Sequence, residues 1–254
     1  MTLVTPDQIL LAFLVFCRIG ACIMLLPGIG GGRIPQNARL LLALALAIAL
    51  TPLFTDDLRQ TLTAAAANPF AVIMTETAMG LLIGFLIRLF FLALDFAALA
   101  VGNFIGYGSV FSMSIEGHDA ASPIGAIMTL PAMALFFILD QHLKVIYLLQ
   151  NSYASVPLGT LVDAEASLKT LLMTLDSAFR IALQICAPLL VYSLAINVLF
   201  GVLNKMVPQV PAYFISAPFV IFGGLALLYL LIVPMLSEFS EVLEISIRAL
   251  GLNG

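Results

Sequence analysis

From Pro69 to about Phe104 the chain reads PFAVIMTETAMGLLIGFLIRLFFLALDFAALAVGNF, and only Glu76, Arg88 and Asp95 in it are charged. An apolar run of this length with so few charges is typical of a helix that crosses a membrane. Because it exceeds the roughly 20 residues that span the hydrocarbon core, the helix must tilt, bend or extend beyond the hydrocarbon. The segment therefore indicates a membrane helix rather than a soluble core helix.

Similar apolar runs fill most of the 254 residues, which are 62% hydrophobic and 9% charged. An ordinary soluble domain has about a quarter charged residues, so a water-soluble surface cannot be built from this composition. We predict a single membrane domain over residues 1–254, an all-α polytopic protein with about six apolar segments. The other runs are Ile9 to Pro27, Leu40 to Leu53, Ile124 to Leu139, Leu143 to Leu149, Ala178 to Leu203 and Phe214 to Leu236. Asp140 to His142 is predicted to be a broken helix or a short hairpin, and the tail from Ser237 a short amphipathic helix.

Charge and reactive side chains exclude several functions. The ten basic residues are scattered singly, which argues against a nucleic acid partner. The three cysteines lack zinc-ligand or paired-thiol spacing, and His118 and His142 lie outside any acidic or cysteine cluster. The glycine run Gly28 to Gly32 lacks the Lys-Ser/Thr sequel of a phosphate loop. We predict no catalytic, cofactor-binding or metal-binding residues, and a protein that is not an enzyme.

Four charged residues lie deep in apolar runs: Arg18, Glu76, Arg88 and Asp95. An unpaired charge there costs at least ~2.5 kcal/mol, so these side chains should face protein or water rather than lipid. Arg88 and Asp95 are seven residues apart and share a helix face, whereas Glu76 lies on a different face. A structural ion pair is favoured because no chain of acids is visible, and a proton or ion relay stays open. The sequence does not specify the partner of Arg18.

Small residues at a spacing of four occur at Gly80 and Gly84 and again at Gly102 and Gly106. This spacing lets two helix backbones approach closely where lipid supplies no hydrophobic drive. We predict helix packing at Gly80, Gly84 and Gly102. The alternative is that small residues are simply common in membrane helices.

A series of short motifs runs along most of the chain. They are Arg18, Pro27-Gly28, Pro35, Arg39, Thr51-Pro52, ETAMGLLIG at 76–84, GNFIG at 102–106, Ser122-Pro123, DQHL at 140–143, Ser152-Tyr153, VPLG at 156–159 and KMVPQ at 205–209. In order and rough spacing these motifs resemble the FliR family, a core component of the flagellar type III protein-export apparatus with injectisome relatives. The chain departs from the family at Tyr107 to Ser114, where a Gly-Leu-Ser-Phe-Ala-like stretch is usual, and at Pro211, where flagellar members have Asn.

The resemblance implies a non-enzymatic export-gate subunit built of bent helical hairpins partly raised out of the bilayer plane. It implies packing with FliP-like and FliQ-like membrane subunits, an FlhB-like export component nearby, and passage of unfolded exported proteins. The implied location is the lipid bilayer of the bacterial inner membrane, at the flagellar basal body. One alternative is an injectisome export-apparatus subunit of a virulence-type system. Another, from a different class, is a secondary transporter, which should show two similar halves; the sequence has no convincing internal repeat.

The stretch from Gly106 to Ser122 interleaves glycines with large apolar side chains. Non-helical backbone at membrane depth is tolerated only where protein buries it or a cavity hydrates it, and the glycines make a continuous helix improbable. Supported by the FliR resemblance, we predict a plug-like loop in the export channel, with apolar side chains that exclude water. The alternative is an ordinary interhelical turn. The predicted plug residues are Gly106, Gly108, Phe111, Met113 and Ile115.

Overall fold

The computed structural model describes residues 6–31, 34–57, 68–106, 123–158, 160, 163–207 and 212–252. Its helices are α1 (Pro6–Leu25), α2 (Gln36–Leu50), a 3₁₀ helix (Thr51–Asp57), α3 (Pro69–Phe104), α4 (Pro123–Ile138), α5 (Gln141–Ser155), α6 (Ala164–Met206) and α7 (Ala212–Leu252). Among the described residues, five helical stretches are long and apolar enough to cross a membrane, and the bent pair α4–α5 is a sixth if it is counted as one span. The predicted all-α, polytopic membrane fold with about six apolar segments is confirmed.

Helix α3 has the bounds that its sequence predicts, because a polar cap and a glycine flank it. The Asn68 side-chain oxygen accepts a hydrogen bond from the Ala71 N–H (3.3 Å), as an N-terminal cap does. At the other end Gly106 adopts φ +77°, and its N–H donates to the Asn103 carbonyl (3.0 Å). Glycine adopts this left-handed conformation at little cost, so the helix stops here.

The break between α4 and α5 lies at Leu139 and Asp140. Asp140 takes φ +54°, a conformation that non-glycine residues adopt mainly when they are Asn or Asp. The chain bends there by 64°. Of the two predicted forms for this segment, a broken helix is the one observed.

The C-terminal tail is helical and amphipathic, as predicted, because Phe239, Leu243 and Ile247 are buried and Glu238 and Glu241 are exposed. It is not a separate short helix, however, since α7 runs over 41 residues from Ala212 to Leu252. Residues 235–250 contain neither glycine nor proline, and α7 continues through Pro234, so the change in polarity at Ser237 does not coincide with a helix end.

The chain divides into two compact units. Unit 1 consists of Met1–Phe90, Phe137–Leu175 and Leu243–Gly254, and unit 2 consists of Phe91–Phe136 and Asp176–Val242. The single membrane domain over 1–254 stays a prediction.

Unit 1 is organised around the hairpin of α1 and α2. Its apolar core joins α1 side chains such as Leu14 and Ile19 to the fully buried Ala43 and Ala47 of α2. The turn that connects the helices is held by Arg39, whose guanidinium donates to the carbonyls of Ile34 and Gly30, each at 3.1 Å. Ala43 and Ala47 thus face inward on α2 and the half-buried Leu46 and Leu50 pack against the core, whereas the other leucines of α2 face outward.

Unit 2 has an aromatic centre. The Phe91 ring meets the rings of Phe136 and Phe239 edge-to-face, with centroids 5.8 and 5.5 Å apart. Aromatic pairs favour this geometry because the positive ring edge faces the negative ring surface. The end of α3 is also packed inside unit 2, since Ile105 is fully buried and lies against Gly224 of α7, where a β-carbon would be 2.7 Å from Ile105 Cγ1.

Candidate functional site

The two most deeply buried charged side chains of the described chain are Arg18 and Glu76, and they form an ion pair. Arg18 Nε donates to Glu76 Oε2 at 2.8 Å. Arg18 is 1% exposed and Glu76 0% exposed. Both belong to unit 1, Arg18 on α1 and Glu76 on α3. The structure therefore supplies the partner of Arg18 that the sequence left unspecified.

The same guanidinium also holds α5. Arg18 Nη1 donates to Ser152 Oγ at 3.1 Å, and Nη2 donates to the Val156 carbonyl at 3.1 Å. The guanidinium carbon lies 3.9 Å from the centroid of the Tyr153 ring, in the geometry of a cation–π contact. One planar, permanently charged side chain thus joins α1, α3 and the end of α5.

We call Arg18, Glu76, Ser152, Tyr153 and the Val156 carbonyl the buried charge cluster. The positive charge of Arg18 is compensated by protein groups within the cluster. A buried charge is tolerated when its partner and hydrogen bonds replace water, and Arg18 has an acceptor for each of its three nitrogen atoms. Ser152 is itself oriented, because its hydroxyl donates to the Leu149 carbonyl at 2.7 Å.

The glycines of α3 bring α1 close enough for this pairing. A β-carbon on Gly80 would overlap the Arg18 carbonyl oxygen, and one on Gly84 would lie 2.7 Å from the Cys22 carbonyl oxygen. Gly80 and Gly84 are four apart on α3, and Arg18 and Cys22 are four apart on α1, so the two backbones touch over one helical turn. Glu76 lies one turn before Gly80 and faces Arg18.

A cavity of about 170 Å³ lies beside the buried charge cluster, within unit 1. One wall is apolar and comes from Met79, Ile83 and Leu86 of α3. The other wall carries hydroxyl and amide groups from α5 and the start of α6, among them Ser152 and Thr170. Ser152 lines the cavity and also belongs to the buried charge cluster, so the two adjoin each other. The hydroxyl and amide groups of the second wall make that side of the cavity polar enough to hold water.

The remaining predicted charges do not join this cluster. Arg88 is half-buried in unit 1, and Asp95 is exposed in unit 2. Neither makes an ion pair with any residue that the structure describes.

Of the remaining predicted packing and plug residues, Gly102 is buried in the last turn of α3 and Gly106 ends that helix. The predicted plug residues Gly108, Phe111, Met113 and Ile115 lie outside the described residues.

Sequence reasoning missed two polar contacts. Ser152 and Tyr153 stand out only as a motif, and nothing in their local sequence links them to Arg18, 134 residues away. In unit 2, the Tyr192 hydroxyl donates to the Phe219 carbonyl at 2.7 Å, in the space that a side chain on Gly223 would fill. The Gly223-Gly224 pair inside an apolar run was the available signal, because glycine there marks close approach.

Within the described ranges, no group of three or more His, Cys, Asp or Glu side chains is placed so that it could bind a metal ion.

Known proteins resemble this chain over most of its length. The family model described as bacterial export proteins, family 1, matches residues 9–245. Flagellar biosynthetic protein FliR of Caulobacter vibrioides is 29% identical over 228 residues, which cover 89% of this chain and 90% of the relative. The FliR proteins of Aquifex aeolicus and Escherichia coli are 27% identical over 232 residues and 25% identical over 245 residues. Those matches cover 89% and 94% of this chain, and 87% and 91% of the relatives.

Proposed function

The chain belongs to family 1 of the bacterial export proteins, and we propose that it is a non-enzymatic subunit of the flagellar type III export channel in the bacterial inner membrane. It is a multi-pass membrane protein of the flagellar export apparatus. In this role it packs with FliP-like and FliQ-like membrane subunits, next to an FlhB-like component, and contributes to the path of unfolded exported proteins. Relatives named flagellar favour the flagellum over an injectisome.

The observation that carries the proposal is the match of the export-family model to residues 9–245, together with FliR relatives that cover most of the chain. The outer surface of α6 is consistent with a subunit role. Exposed large apolar side chains follow this helix from Leu183 to Met206, beyond the exposed ion pair of Asp176 and Arg180. Lipid or neighbouring membrane proteins must cover such a surface, and we infer that other subunits cover part of it.

The buried charge cluster supports a structural role over ion transport. A relay residue must exchange protons or ions with a pathway, whereas Arg18 is committed to three acceptors on α3, α5 and the segment after α5. The secondary-transporter alternative would place a substrate site at broken helices near the midplane. The charged residues buried here instead tie unbroken parts of α1 and α3 together.

The plug is the finer part of the proposal. Gly106, with φ +77°, ends α3 and starts the stretch that contains Gly108, Phe111, Met113 and Ile115. Flexible apolar side chains on such a loop seal a pore by excluding water and deform around a passing polypeptide. Shortening the chain between Gly108 and Gly117 should leave assembly intact and make the membrane leaky to small ions. Normal assembly with unchanged ion permeability would remove the plug role and leave the subunit role standing.

Secretion tests the subunit role. Deleting the gene should abolish secretion of flagellar filament proteins and motility, and the full-length gene should restore both. A control strain carries the same deletion and the empty vector. Unchanged secretion in the deletion strain would contradict the proposal, and secretion lost only for injectisome substrates would move the chain to that system.

A further inference from the structure

Asp95 is a carboxylate on an otherwise apolar outer face of α3. Leu92 precedes Asp95 by three residues and is 44% exposed. Phe96 and Leu99 follow Asp95 by one and four residues and are 57% and 55% exposed. Residues three and four apart share a helix face, so Asp95 and these side chains form one outward stripe. We call Leu92, Asp95, Phe96 and Leu99 the Asp95 face; all four belong to unit 2.

The opposite side of the same helical segment is filled by the core of unit 2. Four side chains on that side are each at most 1% exposed: Leu94, Ala97, Ala98 and Val101. The helix therefore cannot rotate to hide the acid without exposing this core. The carboxylate stays outward, one turn or less from large apolar side chains that are unfavourable in water.

Unit 2 offers Asp95 no cation among the described residues. Its basic side chains are Arg180 and Lys205. Arg180 is paired with Asp176 at 2.8 Å, and Lys205, in the last turn of α6, makes no ion pair with Asp95. The carboxylate of Asp95 has no hydrogen bond to any described residue.

The charge balance of unit 2 points the same way. Its described residues include four acidic side chains against two basic ones, Arg180 and Lys205. An incoming surface that complements these residues is therefore basic. The four acidic residues are Asp95, Asp176, Glu238 and Glu241.

We propose that the Asp95 face docks a membrane helix of another subunit that places a lysine or arginine against Asp95. The apolar neighbours of Asp95 pack against that helix. The basic side chain pairs with the carboxylate, which water cannot solvate within the hydrocarbon. A lipid tail would satisfy the leucines and the phenylalanine but not the charge, because charged groups within hydrocarbon require a partner. This inference rests on the proposed subunit role and adds the chemistry of one contact.

The test uses the full chain expressed from its own locus, with all other export genes present. A benzophenone amino acid replaces Leu99, and Asp95 is kept, so the photochemical capture does not depend on the folding of a charge variant. Separate strains carry Asp95→Lys and Asp95→Glu. Asp176→Lys is the matched control, because it reverses an exposed acid of the same unit that, among the described residues, pairs with Arg180 of its own helix.

The benzophenone should form an adduct with a membrane protein, and the adduct peptide should contain Lys or Arg within about one helical turn of the attachment site. Asp95→Lys should lower recovery of the complex at least about tenfold, because like charges would then face each other. Asp95→Glu and Asp176→Lys should stay near wild-type recovery. Replacing the partner's Lys or Arg that is identified in the adduct peptide by Asp should restore the complex of the Asp95→Lys chain.

Adducts with lipid alone, or wild-type recovery of Asp95→Lys, would overturn the docking contact and leave the subunit role intact. Failure of that partner substitution to rescue Asp95→Lys would also overturn it. A wild-type chain recovered in no complex would overturn both proposals.

Discussion

Replacing Glu76 by alanine should strongly destabilise unit 1. The change removes the carboxylate 2.8 Å from Arg18 Nε and leaves the guanidinium, 1% exposed, without its counter-charge. Breaking a buried ion pair by removing one partner costs about 3–5 kcal/mol. For a chain of this size, 1 kcal/mol shifts Tm by about 2–4 °C, so Tm should fall by about 6–20 °C.

The assay is a thermal melt of the fluorescently tagged chain within its complex, in mild detergent, read as the fraction that stays in the complex peak after heating. The double variant Arg18→Met, Glu76→Leu is the control, because it removes both charges and keeps apolar volume. It should recover most of the lost Tm, since apolar replacement of a whole buried pair is often neutral.

Two results would refute this reasoning. A Glu76→Ala chain that melts within about 2 °C of wild type would mean that the pair does not contribute to stability. A Glu76→Gln chain that assembles normally and yet exports nothing would replace the structural role of this residue by a relay.

The remaining predictions concern close packing and buried polar contacts, and they use the same melt. Gly80→Ala should cost about 1–3 kcal/mol because the new β-carbon overlaps the α1 backbone. Tyr153→Phe should change stability by less than about 0.5 kcal/mol, since its hydroxyl has no hydrogen bond in the described chain, whereas Tyr153→Leu loses a cation–π contact of about 0.5–2 kcal/mol. Gly223→Ala should destabilise more than Tyr192→Phe, which removes one hydrogen bond of about 0.5–1.5 kcal/mol.

The bounds of α3 could be predicted from sequence because local signals mark both ends. Asn68 and Pro69 open the helix and Gly106 closes it, and each acts through its own backbone or nearest neighbours. The same holds for the break at Asp140. The continuity of α7 is not predictable in this way, because the fall in hydropathy at Ser237 marks a change of environment along the helix and not its end.

The buried charge cluster could be predicted only in part. Apolar surroundings identify Arg18 and Glu76 as residues that need partners, but their pairing joins positions 58 residues apart. Such a contact depends on how α1 packs on α3, and that packing is set by Gly80 and Gly84 together with the carbonyls they meet. The spacing of the glycines predicts that they lie in a helix–helix contact, but it does not predict which helix they contact. Ser152 and Tyr153 of α5 stand out as a motif, but no local signal links them to Arg18.

The claim that this chain is a subunit whose apolar faces are covered by other proteins is tested most directly by its mass in the membrane. The tagged chain is extracted from native membranes in mild detergent and measured by native mass spectrometry. The account predicts a species well above the 27.1 kDa of the chain, containing FliP-like and FliQ-like subunits. It also predicts that the chain expressed without those subunits is degraded or aggregates, since lipid cannot replace them. A stable, protease-resistant monomer of 27.1 kDa would contradict the account.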